Sequence, residues 1–133
     1  MTDTPIDRIS ERYLDELIVL NPTVATHIGI EGYDDKYPDY SPAGYEEQAE
    51  LARRTVAAAE ATETPTLREQ AAKDALLERL GLEVEALDAG LWQHQVNAIA
   101  SVAPEIRHVF DLMPTETDEH WAKLTEAMER PDL

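Results

Sequence analysis

An all-α fold is predicted by three features of the sequence. Apolar residues recur at three-to-four-residue spacing, Ser/Thr-Pro pairs stand where those runs begin, and no stretch alternates as a strand would. Five or six helices in an irregular bundle, with an irregular Tyr/Asp/Pro-rich corner after the first, account for the 133 residues as a single helical domain, 1–133. A domain of this length buries roughly two thirds of the surface its unfolded chain exposes, so its core needs no staple.

The first helix opens at TPID, with Thr4 as N-cap, Pro5 at the first helical position and Asp7 placed to reach back in a capping-box manner. Ile6, Ile9, Tyr13, Leu17 and Leu20 form one stripe, and Pro22 disfavours helix in the residue before it, ending the element near Asn21. PTVATHIG then predicts a short second helix closed by Gly29, the residue that best tolerates a left-handed cap. Gly32, Asp34, Asp35 and Pro38 make the next dozen residues irregular. The rings of Tyr33, Tyr37 and Tyr40 are expected to pin this corner to the helices.

The next helix starts with Ser41 as N-cap and Pro42 behind it. Its face of Tyr45, Ala49, Ala52, Val56 and Ala59 is mostly small and permits close helix approach, at about 8 Å. A further helix is expected from Thr64 and Pro65, with Leu76, Leu80, Val84, Leu87 and Leu91 as the strongest stripe in the chain. Gly81 interrupts that stripe, costs about 1 kcal/mol against Ala, and points to a bend or a close contact. Beyond Gly90 the run to Pro114 reads as a helix broken near Pro104. The last helix opens at Thr115 or Thr117 and carries Trp121, Leu124 and Met128 on one face.

Composition restricts function more than it assigns it. Against 28 Asp plus Glu stand eight arginines and the lysines Lys36, Lys73 and Lys123, a net charge of −17. Such a surface repels phosphate backbones and anionic membranes, so neither nucleic acid nor membrane is an expected partner. It reads as a solvated acidic face or as a docking surface for a basic partner. It also suits a high-salt cytoplasm, where self-repulsion is screened; compositional bias would look the same. Cysteine is absent, which excludes disulfides and thiolate chemistry. No apolar run approaches the roughly 20 residues of a membrane span, and MTDTPIDRIS lacks a secretory pattern, so a cytoplasmic location is expected.

No catalytic, cofactor-binding or metal-binding residue can be nominated from the residues themselves. The helical two-histidine zinc motif with its intervening glutamate is missing: His27, His94, His108 and His120 are dispersed, and His108 with Asp111 is a lone pair. Ser101 has no glycine elbow and reads as a residue that ends or caps a helix. Trp92 and Trp121 read as core anchors, and carboxylate pairs are too numerous in so acidic a chain to single out an acid and base.

Two stretches resemble the bacterial domain-of-unknown-function family 885. NPTVATHIGIEGYDDKYPDYSP carries the resemblance at Pro22, Ala25, Thr26 and Gly29, then at Tyr33, Asp34, Asp39 and Ser41. IASVAPEIRHVFDLMPTETDEHWAKL carries it at Ser101, Arg107 and Phe110, then at Asp111, Pro114 and Trp121. These signature positions are read as structural. The resemblance implies a mostly helical protein similar to zinc metallopeptidases of the carboxypeptidase Taq and angiotensin-converting type, several times longer, with a downstream His-Glu segment followed by Pro-Gly-His. None of that segment occurs here, so the expected cofactor is none in this chain, with zinc only in a longer family-type chain. The chain is expected to be a catalytically incomplete N-terminal part of a metal-dependent peptidase-like hydrolase, as a fragment, a truncated relative or a stand-alone product. An acidic helical protein-interaction module is the alternative. An exposed apolar face is expected, to be covered by a homodimer partner or by the missing C-terminal region.

Overall fold

The computed structural model describes residues 4–33, 36–94 and 101–129. Among them are six α-helices, one 3-10 turn and no strand, so the chain is all-α. The helices are α1 Pro5–Leu20, α2 Pro22–His27, α3 Pro42–Glu60, α4 Leu67–Asp88, α5 Val102–Leu112 and α6 Asp118–Met128, with the 3-10 turn at Leu91–His94. They form two compact units: Met1–Leu20 with Asp39–His94, and Asn21–Pro38 with Gln95–Leu133.

In the first unit α3 pairs with α4, and α1 packs on both, chiefly on α3. Helix α1 begins as its sequence predicts. The Asp7 amide donates to Thr4 Oγ1 (3.3 Å), and the Thr4 amide donates back to Asp7 Oδ2 (3.2 Å). Asp7 also receives both arms of the Arg68 guanidinium at 3.1 Å, tying the start of α1 to the start of α4. Arg68 first, then Thr4, holds the Asp7 carboxyl down to about 2.

Ile6 is buried, whereas Ile9, Tyr13, Leu17 and Leu20 are half-buried and Ile18, off the predicted stripe, is buried as well. On α3 the small residues Ala49, Ala52 and Ala59 are buried as expected, and Leu51 and Thr55 join them. A wider face is needed because α3 meets both α1 and α4. The Thr55 hydroxyl donates to Leu51 O at 2.8 Å, so its burial leaves no unmet donor.

Helix α4 starts later than predicted, at Leu67 with Thr66 as N-cap, rather than at Thr64 and Pro65. The decisive feature is a reciprocal capping box in which Glu69 accepts from the Thr66 amide at 3.0 Å and the Glu69 amide donates to Thr66 Oγ1 at 3.3 Å. Leu80 is buried and Leu76, Val84 and Leu87 half-buried, but Leu91 is half exposed because the helix has already ended at Asp88. Gly81 makes no close contact: a Cβ there would meet nothing within 4 Å.

In the second unit α2 rests on α5. Pro22 and Ala25 are buried, and the helix closes as predicted at Gly29, whose φ is +79°. The Gly29 amide donates to Thr26 O (3.2 Å) and the Ile30 amide to Ala25 O (2.8 Å), a Schellman closure. Asp34 and Asp35, expected turn residues, and residues 95–100 within the run leading to Pro114 lie outside the described residues. Pro104 lies inside a helix. It is the third residue of α5, where a missing N–H leaves no bond unmade.

Helix α6 begins behind Thr117, whose hydroxyl accepts the His120 amide at 3.2 Å. Trp121 departs from its reading as a core anchor: it is 53 % exposed and Met128 63 %, while Ala127 is buried. Leu124 of the predicted face is half-buried. No described helix is long and apolar enough to cross a membrane.

Candidate functional site

The described signature residues fall at helix starts, turns and packed positions, apart from Arg107, Asp111 and Trp121, which are exposed on helices. Pro22 opens α2, Ala25 is fully buried beneath it, and Thr26 with Gly29 forms the closure. Tyr33 is half-buried under the Lys36 ammonium, 4.5 Å from its ring centroid, and its carbonyl accepts the Lys36 amide at 3.0 Å. Asp34 lies outside the described residues. Tyr37 tilts against Phe110 of α5, with ring centroids 5.8 Å apart at 58°, which is the pinning expected of that ring. Ser101 stands immediately before α5, and Pro114 two residues beyond its end. Arg107 and Asp111 meet each other along α5 at 3.8 Å, and Trp121 faces outward from α6.

Asp39 and Ser41 form a cap upon a cap. Asp39 Oδ1 accepts the Ser41 amide at 2.8 Å, and Ser41 Oγ accepts the Gly44 amide at 3.3 Å. The hydrogen bond from the Ser41 backbone holds the Asp39 carboxyl below its usual value. Gly44 completes the device. A Cβ there would fall 2.7 Å from Asp39 Cβ and closer still to its carbonyl oxygen. Sequence reading passed over this glycine, although a glycine in the first turn of a helix is itself a signal of close backbone approach.

The four histidines stand on four separate elements. His27 Nδ1 lies 2.7 Å from Thr23 O in its own helix, His120 Nδ1 lies 3.2 Å from Glu116, and His94 and His108 are exposed on separate elements. Among the described residues no three His, Asp or Glu side chains gather where a metal ion could be held.

The first unit does contain shaped clefts. The larger, about 340 Å³, lies between the start of α3, the end of α4 and the 3-10 turn. Gly90, at φ +66°, turns the chain back after α4, and Trp92 stacks on Tyr45 with centroids 4.4 Å apart at 16°. Glu46 and Asp88 border the cleft, and Arg53 spans them at 2.8 and 2.5 Å with Glu50 at 3.6 Å. Two carboxylates, with burial opposing, raise the Arg53 pKa above its already high value. A smaller cleft of about 210 Å³ lies between α1 and α3, beside Tyr13 and the Arg54–Glu16 ion pair.

Residues 22–131 match the family described as Bacterial protein of unknown function (DUF885). The chain belongs to this family. No curated protein matches it. The DUF885 match begins at the first residue of α2 and takes in every later helix, so α1 is the element outside it. All the signature positions from Pro22 to Trp121 fall within the DUF885 region.

Proposed function

We propose that this DUF885 chain is a helical scaffold region of a metal-dependent peptidase-like hydrolase, with the reaction centre supplied by residues beyond these 133. One observation carries the reading: two polar signature residues of the matched region, Asp39 and Ser41, are engaged with the start of α3. Asp39 holds the Ser41 amide and Ser41 holds the Gly44 amide, while Arg107 and Asp111 face each other. The Asp39 and Ser41 bonds orient the start of α3 and account for one Asp39 oxygen and an acceptor lone pair of Ser41. The half-exposed Trp121 and the exposed Met128 give such a scaffold apolar surface for further helices to cover.

The test is the purified chain dialysed against zinc and offered a mixed peptide library, with and without chelator. The expected result is less than stoichiometric zinc and no chelator-sensitive cleavage. One tightly held zinc per chain together with chelator-sensitive turnover would overturn the proposal.

A further inference from the structure

The cleft walled by Tyr45 and Trp92 has a use that the scaffold reading neither needs nor supplies. We infer that it is a docking site for an arginine side chain presented by a basic segment of a partner protein. Three features of the cleft converge on that occupant.

The first is the wall. Trp92 stacks on Tyr45 almost in parallel at 4.4 Å, so the indole is held in one orientation with both rings bordering the cleft. An indole face attracts a cation through its quadrupole, and a planar guanidinium stacks on it as an ammonium cannot. The second is the charge. Glu46 and Asp88 line the cleft and, with Glu50 outside its lining, surround the single guanidinium of Arg53, leaving a local surplus of negative charge on a chain of net charge −17. All three carboxylates are more than half exposed and keep lone pairs open to an incoming donor fork. The third is size. About 340 Å³, open to solvent, is at the small end of ligand clefts. It suits one side chain and its neighbours rather than a cofactor. The same negative field that excludes phosphate-bearing ligands favours a basic segment.

The experiment is an NMR titration of the full chain with a short acetylated, amidated peptide holding two arginines in an alanine background. The same peptide with citrulline replaces guanidinium by a neutral isostere. Trp121→Phe distinguishes the two indole N–H signals. The expected result is a saturable shift of the Trp92 indole with that of Trp121 unmoved, and binding of the citrulline peptide weaker by about tenfold or more. Glu46→Gln, an exposed change that leaves the ring stack in place, is expected to weaken arginine-peptide binding roughly threefold.

A Trp92 signal that stays still while acidic residues elsewhere shift would show general attraction and overturn the assignment. Equal binding of the citrulline peptide would overturn it too. So would a Trp92 shift driven by protein concentration alone, which marks a second copy as the occupant, or by a neutral oligosaccharide in place of the peptide. None of these outcomes bears on the hydrolase reading, which stands or falls on zinc and turnover.

Discussion

Two helical glycines should respond in opposite directions to the same added methyl group. At Gly44 the new Cβ would stand 2.7 Å from Asp39 Cβ and 2.8 Å from Asp39 C. Carbon atoms at rest are about 3.5–4.0 Å apart, so the overlap approaches an ångström and falls on backbone, which cannot swing aside. Asp39 cannot retreat without releasing the Ser41 amide, and Ser41 is the cap of α3. Overpacking costs about 1–3 kcal/mol and a lost N-cap about 1 kcal/mol, against at most about 1 kcal/mol gained in helix propensity. Gly44→Ala is therefore expected to destabilise by about 1–3 kcal/mol. At Gly81 nothing lies within 4 Å and the residue sits mid-helix, so Gly81→Ala should stabilise by roughly 0.5–1 kcal/mol. Urea unfolding followed by circular dichroism measures both. Equal stabilities, or a more stable Gly44→Ala, would refute the close approach of Asp39.

Acid and neutral pH should separate two carboxylates. Asp7 is lowered from 3.8 to about 2, so its contribution is present above pH 3.8 and lost as pH falls toward 2. Asp7→Asn should remove that part of the acid slope in melting temperature. Burial raises the pKa of Glu83, partly offset by the hydrogen bond from Tyr13, so its contribution is complete below 4.5 and lost as pH rises through the raised value. Glu83→Gln should accordingly raise the melting temperature near pH 7 and confer little below pH 4.5; melting curves parallel to wild type across that range would contradict it. Buried Glu69 is predicted to be more sensitive than an exposed acid, because it closes the α4 capping box. Glu69→Ala should cost about 1–3 kcal/mol in urea unfolding and Glu69→Gln less, with equal losses counting against the box.

Elements whose signals are local were legible in the sequence. Thr4 with Asp7, Ser41 with Pro42, and Gly29 each act within a few residues, and each appears where the sequence places it. Where two local signals competed, the sequence misled. Thr64-Pro65 and Thr66-Glu69 both announce a helix, and only the reciprocal pair of bonds in the second decides. Helix phase was harder. Trp121, Leu124 and Met128 share a face by spacing, but spacing alone does not say that Ala127 is the residue turned inward. The cleft was illegible because its walls come from Tyr45 and Trp92, separated by the whole of α4, and are brought together only by the turn at Gly90.

The same distinction between local and distant partners bears on where chemistry can occur. The capping bonds of Thr4, Asp39, Ser41, Thr66 and Thr117 join residues two or three apart, and such bonds orient a helix end rather than a ligand. Recognition requires groups from distant parts of the chain to face one space. Among the described residues the polar side-chain pairs that do so include Tyr13 with Glu83, Arg54 with Glu16, and Arg53 with Asp88, all in the first unit. The charged residues lining the cleft of about 210 Å³ are Arg12, Arg54 and Glu16, of which Arg54 and Glu16 pair, and Tyr13 directs its hydroxyl to Glu83. The cleft of about 340 Å³ is lined by the carboxylates Glu46 and Asp88, which Arg53 bridges, beside the stacked Tyr45–Trp92 pair. The lining of the smaller cleft is cationic and that of the larger one anionic, so the larger cleft, rather than the signature segment, is where a basic partner should register.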